Sequence, residues 1–384
     1  MDPPRLRPGG AGGSRAVRAL GRGPGAPRAD GRHRQHLRRA SGRGARPARR
    51  LSLGHRAAGR SLRRCGRDSG GARGGAAVER LRGLSSPFGV VVFSGEEGAR
   101  FGAPCIGSRV ATGAFTAATL RELTDGEGRS VSECASSVGL RPEDSAEAAW
   151  EPGSVAAFLE LHIEQGRVLE NRGRPLGVVD AIAGSTRVEL EFSGRPDHSG
   201  ATPMPMRHDA LAGASEFVLE AERRALALRT TVATVGRMEV DPGSVTTVPG
   251  TARLALDVRD VDSERQRDLA EELLDRATRI ASRRGLELSA TLLSDQSPVV
   301  LHKPIRERLA RAAEVSGTDF CVLPSGASHD TAHVAKVAPS GMVFVPSHEG
   351  ISHSPREWSD VEHIARAAGV LATALTSLDA RKRD

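Results

Sequence analysis

The sequence predicts an α/β protein with an inserted α+β domain, and two observations support this fold class. Short apolar, β-branched runs at residues 88–93 and 341–346 end in polar clusters, as buried strands of a parallel or mixed sheet do. Between them, segments of alternating and helical periodicity follow in the order strand, helix, strand, strand, helix, strand. That order is typical of a split βαβ, ferredoxin-like sandwich.

The two outer parts of the chain, residues 86–182 and 294–384, are expected to form one catalytic domain with a mixed central sheet flanked by helices. In open α/β sheets, ligands bind in loops at the carboxyl ends of the strands. The polar clusters that follow these strands are therefore candidate site residues. The main strands and the closing helix are predicted at residues 88–93, 155–163, 341–346 and 363–378.

Residues 183–293 are expected to form the inserted α+β domain. The segment RVELEFS at 187–193 alternates strictly between polar and apolar residues, as a half-exposed strand does. The remaining elements are predicted at residues 209–228 (helix), 231–240 and 251–258 (strands), 264–281 (helix) and 286–293 (strand).

The first 85 residues differ in composition from the rest of the chain. They hold 22 Arg, no Lys and four acidic residues, a net charge of +18, so the remainder carries −10 within the overall +8. The segment is rich in Gly, Arg, Pro and Ala, without a sustained period, and it lacks the apolar surface that folding needs. Because the basic charge belongs to this segment alone and no aromatic residues are interleaved with it, a nucleic-acid partner is not expected.

Neither a membrane segment nor a disulfide framework is predicted. No apolar run is long enough to span a bilayer, and the chain does not start with the apolar stretch of a secretory signal. The four cysteines form no CxxC pair, so a cysteine zinc ribbon is not indicated either. A cytoplasmic protein is the expectation.

The pair Glu96-Glu97 directly follows the first buried strand. Paired carboxylates at such a place can bind a divalent metal and take a proton from water. A solvated acidic loop is the commoner role of this dipeptide and stays open for the pair taken alone.

Several histidines lie in comparable places. His162 occurs in LELHIEQG, His353 in GISHSPREW, His198 in PDHSGATPM, and His329 precedes Asp330 in SGASHD. A single histidine among apolar residues is more often a core residue than a metal ligand. Together, these groups of metal-binding and proton-transfer type favour a hydrolytic metal site.

From about residue 86 onward the chain resembles the carbamoylase and allantoate amidohydrolase family, which is part of the dinuclear zinc aminoacylase and exopeptidase clan. The matching stretches occur in order over nearly three hundred residues. FGAPCIGSR and HIEQG distinguish this family from its peptidase relatives. The stretches are FSGEEGARFGAPCIGSR (93–109), LELHIEQGRVLE (159–170), GVVDAIAG (177–184), DHSGATPMPMRHDAL (197–211), VPG (248–250), LDVRD (256–260), SGASHD (325–330) and VPSHEGISHSPREW (345–358).

The resemblance implies a site for two divalent metal ions: zinc, or manganese, cobalt or nickel in its place. Glu96 would be the general base. Glu97 and His353 would bind one metal, and His162 the other. The inserted domain would be a lid through which the protein forms a homodimer, and His198 on this lid would reach the neighbouring subunit's site to stabilise an oxyanion.

The resemblance also implies a small substrate with a ureido group and a carboxylate. Arg259 would bind the carboxylate as a bidentate fork, although a strand-surface charge is the alternative for Arg259, as a structural role is for Asp330. At two positions that contact substrate in the family, this chain departs from the usual Asn and Gln, which leaves the substrate's identity open. The expected substrate contacts are Arg259, Thr247, Ser185, Gly326, His329 and Asp330, of which Thr247 and Ser185 are the departures.

The family supplies one more histidine and a bridging aspartate before Glu96, in a stretch like GSHLDTVPxGGRxDGAxG that is missing here. Reading residues 50–70 from the second base of each codon, with permitted codons, recovers Gly-Ser-His-Leu-Asp-Thr-Val and then a glycine-rich run with an aspartate eleven residues after the histidine. We therefore expect residues 1–85 to be anomalous, with about the first 75 read in the wrong frame.

The expected function is metal-dependent hydrolysis of the ureido C–N bond of N-carbamoyl-L-amino acids, which yields the amino acid, ammonia and carbon dioxide. The nearest alternative is an allantoate or ureidoglycolate-type amidohydrolase of purine breakdown. A peptidase or aminoacylase is a more distant one. A catalytically dead remnant, which lacks two metal ligands, is the alternative outside the enzymes.

Overall fold

The computed structural model describes residues 84–380 and, before them, one strand formed by Arg50–His55. Nearly all of the segment expected to be misread lies outside the described residues. The strands of the described chain are β1 (Arg50–His55), β2 (Phe88–Val91), β3 (Val155–Ile163), β4 (Gly177–Ile182), β5 (Gly184–Ser193), β6 (Asp197–His198), β7 (Val232–Asp241), β8 (Thr247–Val248), β9 (Thr251–Asp260), β10 (Glu287–Gln296), β11 (Val299–Val300), β12 (Cys321–Ser325) and β13 (Ser340–Val345).

The described residues also form nine α-helices and three short 3₁₀ helices. The 3₁₀ helices lie at Pro142–Ala148, Met204–Met206 and His348–Gly350. The α-helices are α1 (Ile106–Ala111), α2 (Ala117–Glu122), α3 (Val131–Ser136), α4 (Val168–Asn171), α5 (Ala210–Leu226), α6 (Ser263–Arg284), α7 (Lys303–Val315), α8 (Asp330–Val334) and α9 (Val361–Ala380).

The chain divides into two compact units. One consists of Ser185–Val258 and Glu264–Gln296. The other contains the described chain up to Gly184, the short segment Arg259–Ser263 and the chain from Ser297 onward. This division rests on contacts within the structure, and the domain boundaries expected from the sequence remain predictions.

The larger unit is built on a seven-stranded mixed sheet. Its strands follow the order β11-β4-β13-β3-β1-β2, and β12 pairs with β4. β13 runs parallel to β3 but antiparallel to β4, so the sheet is mixed. This confirms the prediction of an α/β fold with a mixed sheet. Every residue of β13 is buried, as its uninterrupted apolar run predicts.

Helices α7 and α9 pack against this sheet and form its main core. Their apolar residues recur at helical spacing and meet the apolar side chains of β3 and β13. Buried side chains from all four elements contribute, among them Leu159, Val343, Leu309 and Leu375.

The smaller unit has a four-stranded sheet in the order β10-β5-β9-β7, with β5 and β10 antiparallel. Along β5, buried and half-buried residues alternate, as the RVELEFS pattern predicts. Asp209 caps α5 by accepting a hydrogen bond from the Ala212 amide at 3.0 Å. The buried face of the unit's core includes Leu190, Phe192, Phe217, Leu254 and Leu273.

One edge of the mixed sheet brings the candidate site residues together. β1 runs parallel to both β2 and β3, and β13 runs parallel to β3. The carboxyl ends of these strands therefore meet at the same edge. Glu96 and Glu97 follow β2, His162 lies near the end of β3, and His353 follows β13.

Candidate functional site

The loop that carries Glu96 is folded back onto the start of helix α1. The amide of Cys105 donates to the carbonyl of Glu96 at 2.9 Å, and the amide of Ile106 donates to Gly95 at 3.1 Å. Gly98 has a φ of 66°, and a Cβ there would lie 2.7 Å from the backbone nitrogen of Pro104. Only glycine fits such a position, so the local sequence fixes where the Glu96 backbone lies.

His162 is completely buried at the end of β3. Its Nδ1 lies 2.7 Å from the carbonyl oxygen of Ile163. Because a carbonyl only accepts hydrogen bonds, Nδ1 carries the hydrogen, and Nε2 of the neutral ring presents a lone pair. Metal-binding histidines are commonly held in this way by their second nitrogen.

His329 lies at the start of α8 and is also completely buried. Its ring meets that of His162 edge to face, with 4.5 Å between the ring centroids. Its Nε2 lies 2.7 Å from the hydroxyl of Ser325, at the end of β12. The turn SGASHD therefore returns on itself and places the second imidazole beside the first.

Glu96, His162 and His329 form the candidate metal centre. One potential ligand atom from each of them lies within 4.8 Å of the others. A carboxylate and two imidazoles suit zinc, manganese or cobalt. Sequence reasoning expected His329 to contact the substrate, whereas the structure places it among groups that could bind a metal. Its expected role as a substrate contact stays a prediction.

A second pair lies in the same unit. Nε2 of His353 is 2.9 Å from Oε2 of Glu97, and Nε2 of Gln165 lies 3.5 Å from the same ring nitrogen. His353 has a left-handed backbone, with a φ of 57°. The structure thus brings together the two residues that the resemblance assigns to one metal.

The surroundings of the candidate metal centre are acidic. Burial raises the pKa of the Cys105 thiol far above its ordinary value, and the charges of Asp330, Glu96 and Glu160 raise it further. The thiol therefore stays neutral. The three carboxylates would favour a bound cation, whereas burial opposes a charge of either sign.

Glu160, whose side chain binds the start of α8, was not identified from the sequence. This buried carboxylate lies two residues before His162 on β3. It accepts a 2.9 Å hydrogen bond from the Thr331 amide and a short one from the Thr331 hydroxyl. The only signal available in the sequence was the two-residue spacing, which puts Glu160 and His162 on the same face of the strand.

Arg259, at the end of β9, belongs to the larger unit by its contacts. Its Nη1 donates to the carbonyl oxygen of Gly326 at 2.6 Å. The structure thus brings together two of the expected substrate contacts. Asp330, a third, is buried at the start of α8.

The other three expected residues lie in the smaller unit. His198 in β6 pairs with Thr247 in β8, and Ser185 is buried near the start of β5. Nδ1 of the exposed His198 accepts hydrogen bonds from the amides of Gly200 at 3.0 Å and Ala201 at 3.1 Å. Because Nδ1 accepts, the neutral ring carries its hydrogen on Nε2, which is available as a donor.

The two further ligands expected from the region before Glu96 lie outside the described residues. Of that region, the structure describes only the strand β1 and residues from 84 onward. The strand β1 ends between β2 and β3 on the edge that carries the site.

Comparison with known proteins assigns this chain to a family of hydrolases. The model of peptidase family M20/M25/M40 matches residues 65–377, more than half of the chain. The chain belongs to this family. Membership confirms the prediction of a hydrolase, and the resemblance stated from the sequence is confirmed as well.

Relatives within this family act on different small molecules. An N-carbamoyl-L-amino acid amidohydrolase of Geobacillus stearothermophilus is 41% identical over 285 residues, 74% of this chain and 69% of that protein. A ureidoglycolate hydrolase of Arabidopsis thaliana is 36% identical over 75% of this chain and 62% of its own length. An allantoate amidohydrolase of Escherichia coli is 31% identical over 75% of this chain and 70% of that protein.

Solved structures give the same assignment. A hydantoinase/carbamoylase family amidase from Burkholderia multivorans matches with a TM-score of 0.70 and 35% identity, over 77% of this chain and 71% of that one. The protein AtUAH in complex with glyoxylate matches with a TM-score of 0.68 and 33% identity, over 79% and 75% of the two chains.

The described helices show no sign of a transmembrane segment. None of those within residues 84–380 combines the length and the apolar character that crossing a bilayer requires.

Proposed function

We propose that this chain hydrolyses the ureido C–N bond of N-carbamoyl-L-amino acids with the help of two divalent metal ions. One observation carries the proposal: the ligand atoms of Glu96, His162 and His329 converge within 4.8 Å at the carboxyl edge of the sheet. The identity of 41% with an N-carbamoyl-L-amino acid amidohydrolase supports the choice of substrate.

The residues present fit a metal site. His162 is fixed in the tautomer that presents Nε2, and its neighbours are an imidazole and a carboxylate. His162 would hold one ion, and Glu97 with His353 would hold the other, which agrees with the 2.9 Å between their side chains. Divalent ions bound there would polarise the ureido carbonyl group and lower the pKa of water.

Glu96 is the proposed general base. Its carboxylate accepts a proton from water as the water oxygen attacks the ureido carbonyl carbon, and gives that proton to the departing nitrogen. One C–O bond forms and one C–N bond breaks. The products are the free amino acid and carbamate, and the carbamate decomposes to ammonia and carbon dioxide.

His198 is the proposed donor to the oxyanion. Its neutral ring carries a hydrogen on the exposed Nε2, since Nδ1 accepts from two amides. Such a donor stabilises the negative charge that develops on the carbonyl oxygen. We further propose that a partner subunit supplies this residue in a homodimer, and that Thr247, its partner in the β6–β8 pair, contacts the substrate.

Arg259 is the proposed anchor of the substrate's carboxylate. Its guanidinium donates to the carbonyl oxygen of Gly326. A planar guanidinium is the side chain best suited to bind a carboxylate through two parallel hydrogen bonds. Gly326, His329 and Asp330 would line the pocket beside it. Ser185 stays a proposed substrate contact from the resemblance.

The smaller unit is proposed to be a ferredoxin-like lid. Its sheet order β10-β5-β9-β7 and its two long helices, α5 and α6, support this assignment. The chain order strand, helix, strand, strand, helix, strand, with the two-residue strands β6 and β8 set aside, supports it too.

The test is ammonia release from N-carbamoyl-L-methionine and from allantoate, with and without Mn²⁺. We expect metal-dependent release from the carbamoyl amino acid, faster from a chain with its reading frame restored than from this chain, and none from a Glu96→Gln control. Faster release from allantoate would favour the allantoate or ureidoglycolate-type alternative. The 36% identity with a ureidoglycolate hydrolase is the observation that supports this alternative. No release from either substrate, by this chain or by one with its frame restored, would contradict the proposal.

A further inference from the structure

Helix α1 holds the loop that carries Glu96. Three successive amides at its start, from Cys105 to Gly107, donate to the carbonyls of Glu96, Gly95 and Ser94 at 2.8 to 3.1 Å. A shift of α1 therefore shifts the Glu96 backbone with it.

Helix α8 holds His329 in the same way. His329 is the residue that precedes its first turn, and the buried carboxylate of Glu160 binds the Thr331 amide in that turn at 2.9 Å. The position of the His329 ring therefore depends on where α8 lies.

A hydrogen bond between side chains joins these two helices. Helices α1 and α8 pack against each other, and Nε of Arg109, on α1, donates to Nε2 of His333, on α8, at 3.2 Å. The guanidinium of Arg109 also lies over the ring of Phe115, 4.9 Å from its centroid. Arg109 is thus held from two sides.

His333 accepts this hydrogen bond as a neutral ring. Burial, together with the charges of Arg109 and Lys336, lowers the pKa of His333 to about 3. Because Nε2 accepts, the hydrogen of the ring lies on Nδ1. The contact therefore persists across the pH range in which such an enzyme would be assayed.

We propose that Arg109 and His333 are a pair of positioning residues that fixes the separation of Glu96 from His329. These two groups converge on His162, so the pair would also set the surroundings, and through them the affinity, of the ion that His162 would hold. This rests on the proposed function only where metal affinity is concerned. Neither side chain contacts substrate or metal in this proposal. They act by fixing α1 against α8, and so join two loops that are more than two hundred residues apart in the sequence.

Two substitutions at one position test the pair. His333→Met removes the acceptor, whereas His333→Gln keeps one, and the two new side chains have similar size and helix propensity. A His302→Leu variant is the control, because this exposed imidazole makes no capping hydrogen bond at the start of α7. The readouts are amide hydrogen exchange of the metal-free protein and titration with Co²⁺, whose absorption spectrum reports ligand geometry.

We expect His333→Met to speed exchange in residues 94–109 and 325–335. It should also weaken Co²⁺ binding by roughly tenfold, the lower end of what loss of a ligand's hydrogen-bond partner costs, because His333 acts on His329 only through α8. His333→Gln should restore both, and the control should change neither. If His333→Met folds and its amide hydrogen exchange is unchanged in both segments, the proposal that this pair positions the two loops is wrong. If that variant does not fold, Arg109→Met, which keeps the apolar stem over Phe115, is judged by the same two readouts.

The exchange arm separates this inference from the proposed function. If neither the unaltered chain nor the frame-restored chain binds Co²⁺, the proposed metal site fails, and the pair is then judged by exchange alone. If the unaltered chain binds Co²⁺ and His333→Met binds it with the same affinity and spectrum, the pair does not set metal affinity.

Discussion

The imidazole of His353 and the carboxylate of Glu97 lie 2.9 Å apart, between the loop after β13 and the loop after β2. A pair of this kind, with His353 exposed and Glu97 half-buried, can be an ordinary ion pair, which contributes little to stability. It can also be half of a metal site, since both groups are ligands that zinc and manganese accept. The two roles differ in their prediction for metal affinity: loss of one partner weakens metal binding only if the pair binds a metal.

Replacement of His353 with Ala should weaken Co²⁺ or Mn²⁺ binding by at least about tenfold, because loss of a direct ligand should cost no less than loss of an outer-shell contact. Isothermal titration measures this. His348→Ala is the control, since that imidazole lies on the same loop, 3.8 Å from Glu170 and outside the proposed ligand set. If His353→Ala binds metal with unchanged affinity, His353 and Glu97 form an ordinary ion pair and not part of a metal site.

Glu96→Gln should lower kcat by about 10²–10⁴-fold, the usual contribution of a general base. The amide keeps the shape of the side chain but takes no proton from water. Excess metal should not restore the activity of this variant, whereas it should partly restore that of Glu97→Gln, whose proposed role is to bind metal. Restoration of Glu96→Gln by excess metal would mean that Glu96 is a ligand and not the base.

Asp379, near the end of α9, should make stability depend on acid pH. Its carboxylate accepts from the amide of Ser86 at 2.9 Å and from the amide of Ser85 at 2.6 Å. Hydrogen bonds from these two serines hold its pKa well below the ordinary value. A depressed pKa means that the stabilisation is fully present above the unfolded value of about 3.9 and is lost as the pH falls through the folded one.

Denaturant unfolding of Asp379→Asn at several pH values measures this contribution. We expect the variant to be about 1–3 kcal/mol less stable at pH 7, the cost of a poorly satisfied buried group. The difference should shrink only below about pH 4. A Glu362→Gln variant, altered at an exposed position in the first turn of the same helix, is the control. A constant difference from pH 7 to pH 3 would contradict the linkage.

The elements of the fold could be predicted where the hydrophobic period was sustained. The strand predicted at 155–163 matches β3, and the helix predicted at 264–281 is the core of α6, which extends over Ser263–Arg284. The strand predicted at 341–346 occurs one residue earlier, at Ser340–Val345. Proline lacks the amide hydrogen that a central strand needs, which explains why β13 ends before Pro346.

The site could be predicted only in part, because its contacts are long-range. Motifs located Glu96 and His162, but 167 positions separate His162 from His329, and no local pattern reports that their rings meet. The contact between Arg109 and His333 joins helices of six and five residues, too short for their packing to be inferred from a period.

The last prediction concerns restoration of the reading frame at residues 50–70. A chain in which residues 50–70 are replaced by the shifted reading, Gly-Ser-His-Leu-Asp-Thr-Val and the glycine-rich run after it, should bind Mn²⁺ more tightly than this chain and gain ammonia-releasing activity. The physical reason is that an imidazole and a bridging carboxylate would complete the ligand set. The strand β1 supports the placement, because it lies between β2 and β3 and ends on the edge that carries Glu96 and His162.

Titration with Mn²⁺ and the ammonia assay compare the two chains. A third chain, with the restored segment but with its new histidine replaced by alanine, separates the ligand's effect from that of a repaired sheet. It should fold like the restored chain and bind metal more weakly. Equal metal affinity and activity in the chain as written and in the restored chain would mean that the described ligands suffice. Resequencing of the locus gives an independent check, since a continuous frame through residues 1–85 would exclude the misreading.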